Sequence, residues 1–159
     1  MLDTFKGITE QEKRQLIDAI AQITILIAGA DGDINRKETS WAKKLARIRS
    51  YASNKKLNEF YRIVGKTFCN DLERMRSSLP DDTNARNKVL VEQLSHLNGL
   101  LSKLPFTMRL ALYESYTSFA KHVAEASGGF FRFMSISGEE KKLMNLPMLQ
   151  PIGARAFRA

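Results

Sequence analysis

The sequence contains very little cysteine and proline. Its 159 residues include one cysteine, Cys69, and four prolines. A lone cysteine excludes an intramolecular disulfide framework and is typical of a reducing compartment, so we expect a cytoplasmic protein. We expect Cys69 to be a buried or half-buried small side chain rather than a nucleophile, because neither histidine is close to it in sequence. The scarcity of proline leaves room for long helices.

Long apolar runs and strand patterns are also absent. The most apolar stretch, Ala19 to Ala30, is interrupted by Gln22 and Thr24 and is shorter than the roughly 20 residues that a membrane span requires. The first residues show no basic region followed by an apolar stretch of the signal-peptide type. No alternating apolar and polar run is bounded by a hairpin dipeptide. The sequence therefore predicts a single all-α domain, with residues 19–30 in a buried helix.

Apolar residues spaced three and four apart predict a series of amphipathic helices. Thr9 and Glu12 form a capping-box pattern at the start of the first helix. The next helix is predicted to bury Trp41, Leu45 and Ile48 and to turn its basic residues toward solvent. Further helices are predicted at 57–68, 71–79, 90–104 and 106–126, of which 90–104 carries leucines at alternating spacings of four and three.

The sequence also contains an internal repeat pattern. A shift of 96 residues places the apolar positions of the first helix on those of a later one, so that Leu16 aligns with Leu112. Both copies continue into a glycine-bearing segment and an Ile-x-x-x-Glu string, which ends at Glu38 and at Glu140. This pattern predicts a helical bundle of two pseudo-repeated halves. The predicted parts are a helical domain at 1–149, with halves at roughly 8–79 and 80–149, and a flexible tail at 150–159.

The segment that ends at Glu38 carries the strongest chemical signal. It reads Ala-Asp-Gly-Asp-Ile-Asn-Arg-Lys-Glu, and its glycine, apolar residue and final glutamate follow the order of the second half of an EF-hand loop. Asp31, Asp33, Asn35 and Glu38 offer up to four side-chain oxygen donors, which suit Ca²⁺ or another divalent cation. Glu140 is the candidate for a weaker second site. The alternative is structural, with Asp31 and Glu38 bonded to free helix amides at about 1 kcal/mol each.

The same nine residues resemble the signature of the TerB-like family, named for tellurite-resistance protein B. Members of that family are all-helical, about as long as this chain, and built from two related halves. Each half carries an Ala-Asp-Gly-x-(Ile/Val)-x-x-x-Glu loop, which Ala30 to Glu38 matches position by position. The second copy, from Ala126 through Ile136 to Glu140, follows the pattern in part and contains inserted residues.

This resemblance implies a non-enzymatic, cytoplasmic bacterial protein that is associated with stress or tellurite resistance and acts as a binding or scaffold protein. It also implies that the acidic residues of the loop bind a divalent cation. Related domains occur fused to other modules, including J-domain co-chaperones, so protein partners are expected.

A basic segment supports a second hypothesis. Residues 36–66 hold ten Lys and Arg against two Glu, an excess of eight, which equals the net charge of the whole chain. Such a face favours an acidic partner, either a protein or, less typically, nucleic acid or an anionic membrane surface. The alternative is an ordinary solvated helix face. The residues predicted to form the docking surface are Lys43, Lys44, Arg47, Lys55 and Lys56.

Other functional classes receive little support. His96 and His122 have no visible nucleophile beside them, so no catalytic residue and no small-molecule substrate are predicted. Apolar residues at 130–134 and 143–148 are expected to pack on the core as a loop and a last helix. The alternative for these residues is a partner-binding or homodimer surface.

Overall fold

Helices are the only regular secondary structure in the described part of the chain. A computed structural model describes residues 5–29, 36–51, 55–125 and 143–152, with only the backbone at 36–38. Within these ranges there is no strand, so the all-α prediction is confirmed. The helices are α1 (Glu10–Ala28), α2 (Arg36–Arg49), α3 (Lys55–Ser78), α4 (Thr83–Ser95), α5 (Leu97–Leu101) and α6 (Phe106–Glu125).

α1 is the central helix and contacts all five of the others. Its predicted capping box is present. Thr9 Oγ1 accepts a hydrogen bond from the Glu12 amide at 3.1 Å, and the Glu12 carboxylate accepts one from the Thr9 amide at 2.8 Å. The predicted apolar stripe is buried, and its members are Leu16, Ile20, Ile23 and Ile27. Since α1 is buried on several sides, most of its stability comes from packing rather than helix propensity.

An ion network joins α1 to α3. Arg14 Nη2 lies 2.9 Å from Asp18 Oδ1 and also bonds to Asp71 Oδ1. Arg74 Nη2 lies 3.0 Å from the same Asp18 oxygen and 3.2 Å from the same Asp71 oxygen. The second oxygen of the buried Asp71 accepts from Thr67 Oγ1 at 2.7 Å. Both carboxylate oxygens of Asp71 therefore have donors, which is what a buried charge requires.

The structure corrects the predicted boundaries in the middle of the chain. The predicted helices at 57–68 and 71–79 form one uninterrupted helix, α3, because Cys69 and Asn70 between them are neither glycine nor proline and can continue a helix. The predicted helix at 90–104 is divided at His96, whose amide bonds to Gln93 O in a tightened turn. Cys69 is exposed on α3, so the prediction that it is buried or half-buried was wrong.

α2 is rotated relative to its prediction. Trp41 is 38% exposed and Ile48 is 39% exposed, whereas the buried positions are Ala42, Leu45 and Ala46. The small alanine side chains let α2 approach its neighbours closely, and this packing outweighs the larger apolar area of the tryptophan. The prediction that Trp41 and Ile48 belong to the core was wrong, while Leu45 was placed correctly.

The two-half architecture stays a prediction. α1 begins at Glu10 and α6 at Phe106, which matches the shift of 96 residues, and the two helices pack together. The segment of the second copy at 126–142, including the apolar residues at 130–134, lies outside the described residues. Of the apolar residues near the end, Leu146 is buried, and Leu143, Met144 and Met148 pack against the core. In the predicted tail, the Gln150 amide donates to Asn98 Oδ1 at 2.8 Å, and residues 153–159 are not described.

Candidate functional site

The predicted cation ligands fall almost entirely outside the described residues. Asp31, Asp33 and Asn35 lie between α1 and α2, and Glu140 lies beyond α6. Glu38 is in the first turn of α2, where only its backbone is described. Among the residues that the structure does describe, no group of three or more His, Cys, Asp or Glu could hold a metal ion. The cation site therefore stays a prediction.

The helix that leads into the acidic segment has an anchored end. Arg86 Nη2 of α4 donates to Gly29 O at 2.8 Å, which satisfies a terminal carbonyl and places a positive charge at the negative end of the α1 dipole. A Cβ at position 29 would lie 2.6 Å from Arg86 Nη2 and 2.8 Å from Ile25 O. Only glycine permits this close approach. The end of α1 is thus held by α4 immediately before Asp31.

A groove between α2 and α3 gathers five exposed cations. It has a volume of about 440 Å³. Lys43, Lys44 and Arg47 border it from α2, and Arg62 and Lys66 border it from α3. Among the described residues, none of the five has a carboxylate within ion-pair distance. Because like charges concentrate around one concave surface, the local potential favours an anion there. We call these five residues and their groove the basic groove.

The floor of the basic groove is open. Gly65 lines the groove, and a Cβ at that position would meet no atom within 4 Å. Ser40 and Ser50 also line the groove. Lysine ammonium groups and arginine guanidinium groups are donors without acceptor capacity, so the groove suits phosphate or carboxylate oxygens.

The predicted docking surface and the basic groove overlap in part. The structure brings Lys43, Lys44 and Arg47 together, as the hypothesis requires. Lys55 and Lys56 are exposed at the start of α3 but do not line the groove, so the structure does not group them with the other three. The prediction had not selected Arg62 and Lys66. The sequence did contain a signal for them. Arg62 and Lys66 are four residues apart and so share one face of the helix, and Gly65 beside them has no side chain.

On its other flank, α2 directs a cation inward. Arg49 Nη1 donates to Tyr61 Oη at 3.0 Å, to Ser115 O at 2.9 Å and to Ser115 Oγ at 3.0 Å. Arg49 Nη2 donates to Ser118 Oγ at 3.0 Å and lies 3.2 Å from His122 Nδ1. These contacts tie α2 to α3 and α6. We call this set of residues the Arg49 cluster.

Aromatic rings support the same guanidinium. The Arg49 Cζ atom lies 5.4 Å from the Tyr61 ring centroid and 5.3 Å from that of Phe119. The two rings are stacked at 6.4 Å. Each ring face attracts a cation by roughly 0.5–2 kcal/mol, depending on desolvation. The charge of Arg49 is therefore stabilised by neutral acceptors and by ring quadrupoles together.

The hydrogen bonds of the Arg49 cluster connect a histidine, a tyrosine and two serines to the guanidinium. A guanidinium only donates, so His122 Nδ1 accepts and the ring proton belongs on Nε2. The hydroxyls of Tyr61 and Ser115 bond to each other as well as to Arg49. Burial raises the pKa of the Tyr61 phenol, and the Arg49 charge opposes that shift. Burial also raises the pKa of Tyr116, whose hydroxyl donates to Leu16 O at 2.8 Å.

A cleft of about 470 Å³ lies beside the Arg49 cluster and is lined by residues of α2, α3 and α6. Its apolar lining comes from Leu45, Ile48, Leu57 and Ala111. The donors of Arg49 that face it are already bonded to Tyr61, Ser115, Ser118 and His122. The chemistry of this flank is therefore structural, because it holds three helices together. The anion-binding capacity of α2 lies on the opposite flank, in the basic groove.

Comparison with known proteins adds no relative. No family model, curated protein or solved structure matches the chain. In the described parts of the chain, no helix has the length and apolar character needed to cross a membrane.

Proposed function

We propose that this chain is a non-enzymatic binding protein whose basic groove docks an acidic partner. The observation that carries the proposal is the set of five exposed cations around one groove, none of which has an acidic partner among the described residues. A folded protein ordinarily offsets clustered like charges with nearby opposite charges. A cluster left without such neighbours stabilises a complex with an anion more than it stabilises the fold.

The test compares two triple variants that lose the same charge. Lys43→Gln/Lys44→Gln/Arg47→Gln removes the α2 side of the groove, whereas Arg76→Gln/Lys88→Gln/Lys121→Gln removes three exposed cations elsewhere. On a phosphate-bearing resin we expect the first triple to elute at clearly lower salt and the second to elute close to the wild type. Equal shifts for both triples would show that only the net charge matters and would reject the groove.

The wider context of this proposal comes from the TerB-like signature. We propose that the protein belongs to the cytoplasmic, stress-associated or tellurite-resistance-associated proteins of that kind and acts as a binding or scaffold protein. The all-α architecture supports this assignment. The basic groove would then be the surface that a partner contacts.

A divalent-cation site between α1 and α2 is the second candidate function. Two features of the helices support it. Gly29, directly after α1, is anchored by Arg86, and α2 starts at Arg36, so the first turn of α2 contains Glu38. In this site Asp31, Asp33, Asn35 and Glu38 would supply oxygen ligands to Ca²⁺.

Calorimetric titration with calcium tests the second candidate. We expect binding heat from the wild type and none from Asp31→Ala/Glu38→Ala. The absence of heat from the wild type at millimolar calcium would remove the cation site and leave the basic groove untouched, because the two sites share no residue.

A further inference from the structure

Beside the basic groove, α2 exposes large apolar side chains. Trp41 is 38% exposed, Ile48 is 39% exposed and Tyr51, just after the helix, is 71% exposed. The Tyr51 amide still bonds to Ile48 O at 3.2 Å, so the helical course continues to this residue. Spacings of seven and three residues place the three side chains along one side of α2.

Cations are interleaved with these apolar residues. Lys44 lies three residues after Trp41 and four before Ile48, and Arg47 lies four before Tyr51. Ile48 borders the cleft beside α6, whereas Lys44 and Arg47 border the basic groove beside α3. Exposed apolar side chains directly beside cations form a surface with two different affinities.

An anionic lipid surface matches both affinities. Trp and Tyr are favoured at the level of lipid headgroups, and Lys and Arg are attracted to anionic phosphates. The aliphatic Ile48 has no ring face on which a nucleic-acid base could stack, whereas it gains from entering the headgroup and acyl boundary. A purely acidic protein surface would leave Trp41 and Ile48 without a complementary contact. Each cation close to an anionic membrane strengthens binding by about fivefold, so several together give measurable attachment.

We propose that the partner of the basic groove is an anionic membrane surface. The five cations contact lipid phosphates, and Trp41, Ile48 and Tyr51 enter the headgroup region. This inference rests on the proposed function and specifies its partner. It describes attachment to one face of a bilayer through α2 and the first half of α3.

The chain carries its own reporter for the test, because Trp41 is its one tryptophan. The wild type is mixed with vesicles of phosphatidylcholine and phosphatidylserine in equal parts, and with vesicles of phosphatidylcholine alone. We expect a blue shift of the tryptophan emission with the anionic vesicles only, and quenching when the acyl chains are brominated near the headgroup. Sedimentation of the protein with anionic vesicles while the Trp41 emission stays unchanged would overturn the inference, since Trp41 would then remain in water.

Two variants of matched exposure complete the test. Ile48→Ser removes an apolar contact from α2, and Phe106→Ser removes a side chain that is 43% exposed at the start of α6. We expect Ile48→Ser to weaken vesicle binding by about fivefold, as partial burial of an aliphatic side chain implies, and Phe106→Ser to leave it unchanged. Equal affinities of Ile48→Ser and the wild type would contradict membrane insertion.

Parallel titrations with polyglutamate and with single-stranded RNA separate the inference from the proposal beneath it. Groove-dependent retention on either polymer without vesicle binding would overturn the membrane inference and leave the proposed function intact. If the protein bound none of the four, neither vesicles nor polyglutamate nor RNA nor the phosphate resin, the proposed function itself would be overturned.

Discussion

Arg47 and Arg49 stand two residues apart on α2, and their surroundings are opposite. Arg49 turns inward and donates to Tyr61, Ser115 and Ser118. Arg47 turns outward into the basic groove, where the described residues offer it no carboxylate. Two residues along a helix correspond to more than half a turn, so the two arginines lie on different flanks of α2. The same residue type can therefore hold helices together on one flank and bind a partner on the other.

The largest expected effect comes from removing the structural cation. Arg49→Met should lower the free energy of unfolding by about 3 kcal/mol, because several acceptors of the Arg49 cluster lose a charged donor. Arg47→Met, the same substitution on the outer flank, should change it by less than about 0.5 kcal/mol. Urea unfolding of both variants measures the difference. Similar losses of stability in Arg49→Met and Arg47→Met would contradict the different roles of the two flanks of α2.

The next effect concerns binding. Arg62→Gln/Lys66→Gln should weaken affinity for anionic vesicles by about 30-fold, which corresponds to about 2 kcal/mol for two cations. It should also make the affinity less dependent on salt, since fewer counterions are released. Arg76→Gln/Lys88→Gln is the charge-matched control and should keep most of the affinity. Equal affinities of the two double variants for anionic vesicles would contradict a localised binding site.

The pH dependence of the free energy of unfolding tests the Arg49 cluster with a smaller expected effect. Because burial raises the pKa of Tyr61 and Tyr116 in the folded protein, the unfolded chain ionises first, near pH 10. The stabilisation from the neutral phenols is therefore complete below about pH 10 and is lost as the pH rises above it. Tyr61→Phe should cost about 1 kcal/mol at neutral pH and show a shallower loss of stability above pH 10. Equal slopes for variant and wild type in urea unfolding between about pH 9 and 11 would contradict this assignment.

The smallest expected effect is a gain. Gly65→Ala should raise the free energy of unfolding by about 0.8 kcal/mol, because alanine favours a helix and the added methyl meets no atom within 4 Å. Gly29→Ala should act in the opposite direction, since its methyl would approach the Arg86 guanidinium at 2.6 Å. Thermal unfolding of both variants gives the signs, and a loss of stability in Gly65→Ala would contradict the open space beside this residue.

The sequence predicted the buried helices better than the exposed one. The capping box at Thr9 and the stripe of α1 were confirmed, since a dense apolar pattern has one way to face the core. α2 was predicted in the wrong rotation, because its large apolar residues are on the surface and its core contacts come from alanines. Arg49 could not be recognised as a structural residue, since its acceptors on α6 are more than sixty positions away in sequence.

Three of the five cations of the basic groove were predictable from the sequence. Charge counting along the chain found Lys43, Lys44 and Arg47, because they follow one another on one helix. It also selected Lys55 and Lys56, which the fold leaves outside the groove. Which α3 cations face α2 depends on how the two helices pack, and this relation is not contained in the charge pattern.

The contacts that anchor α1 have a consequence for how the chain acquires its fold. Tyr116 reaches Leu16 across 100 positions, and Arg86 reaches Gly29 across 57. Closing such long loops delays the contacts that depend on them. During synthesis, α1 leaves the ribosome before α4 and α6 and gains these polar anchors only after both have followed. A nascent chain that ends after α3 would therefore expose the apolar surface of its first helix, and we expect it to depend on a holding chaperone until the remaining helices arrive.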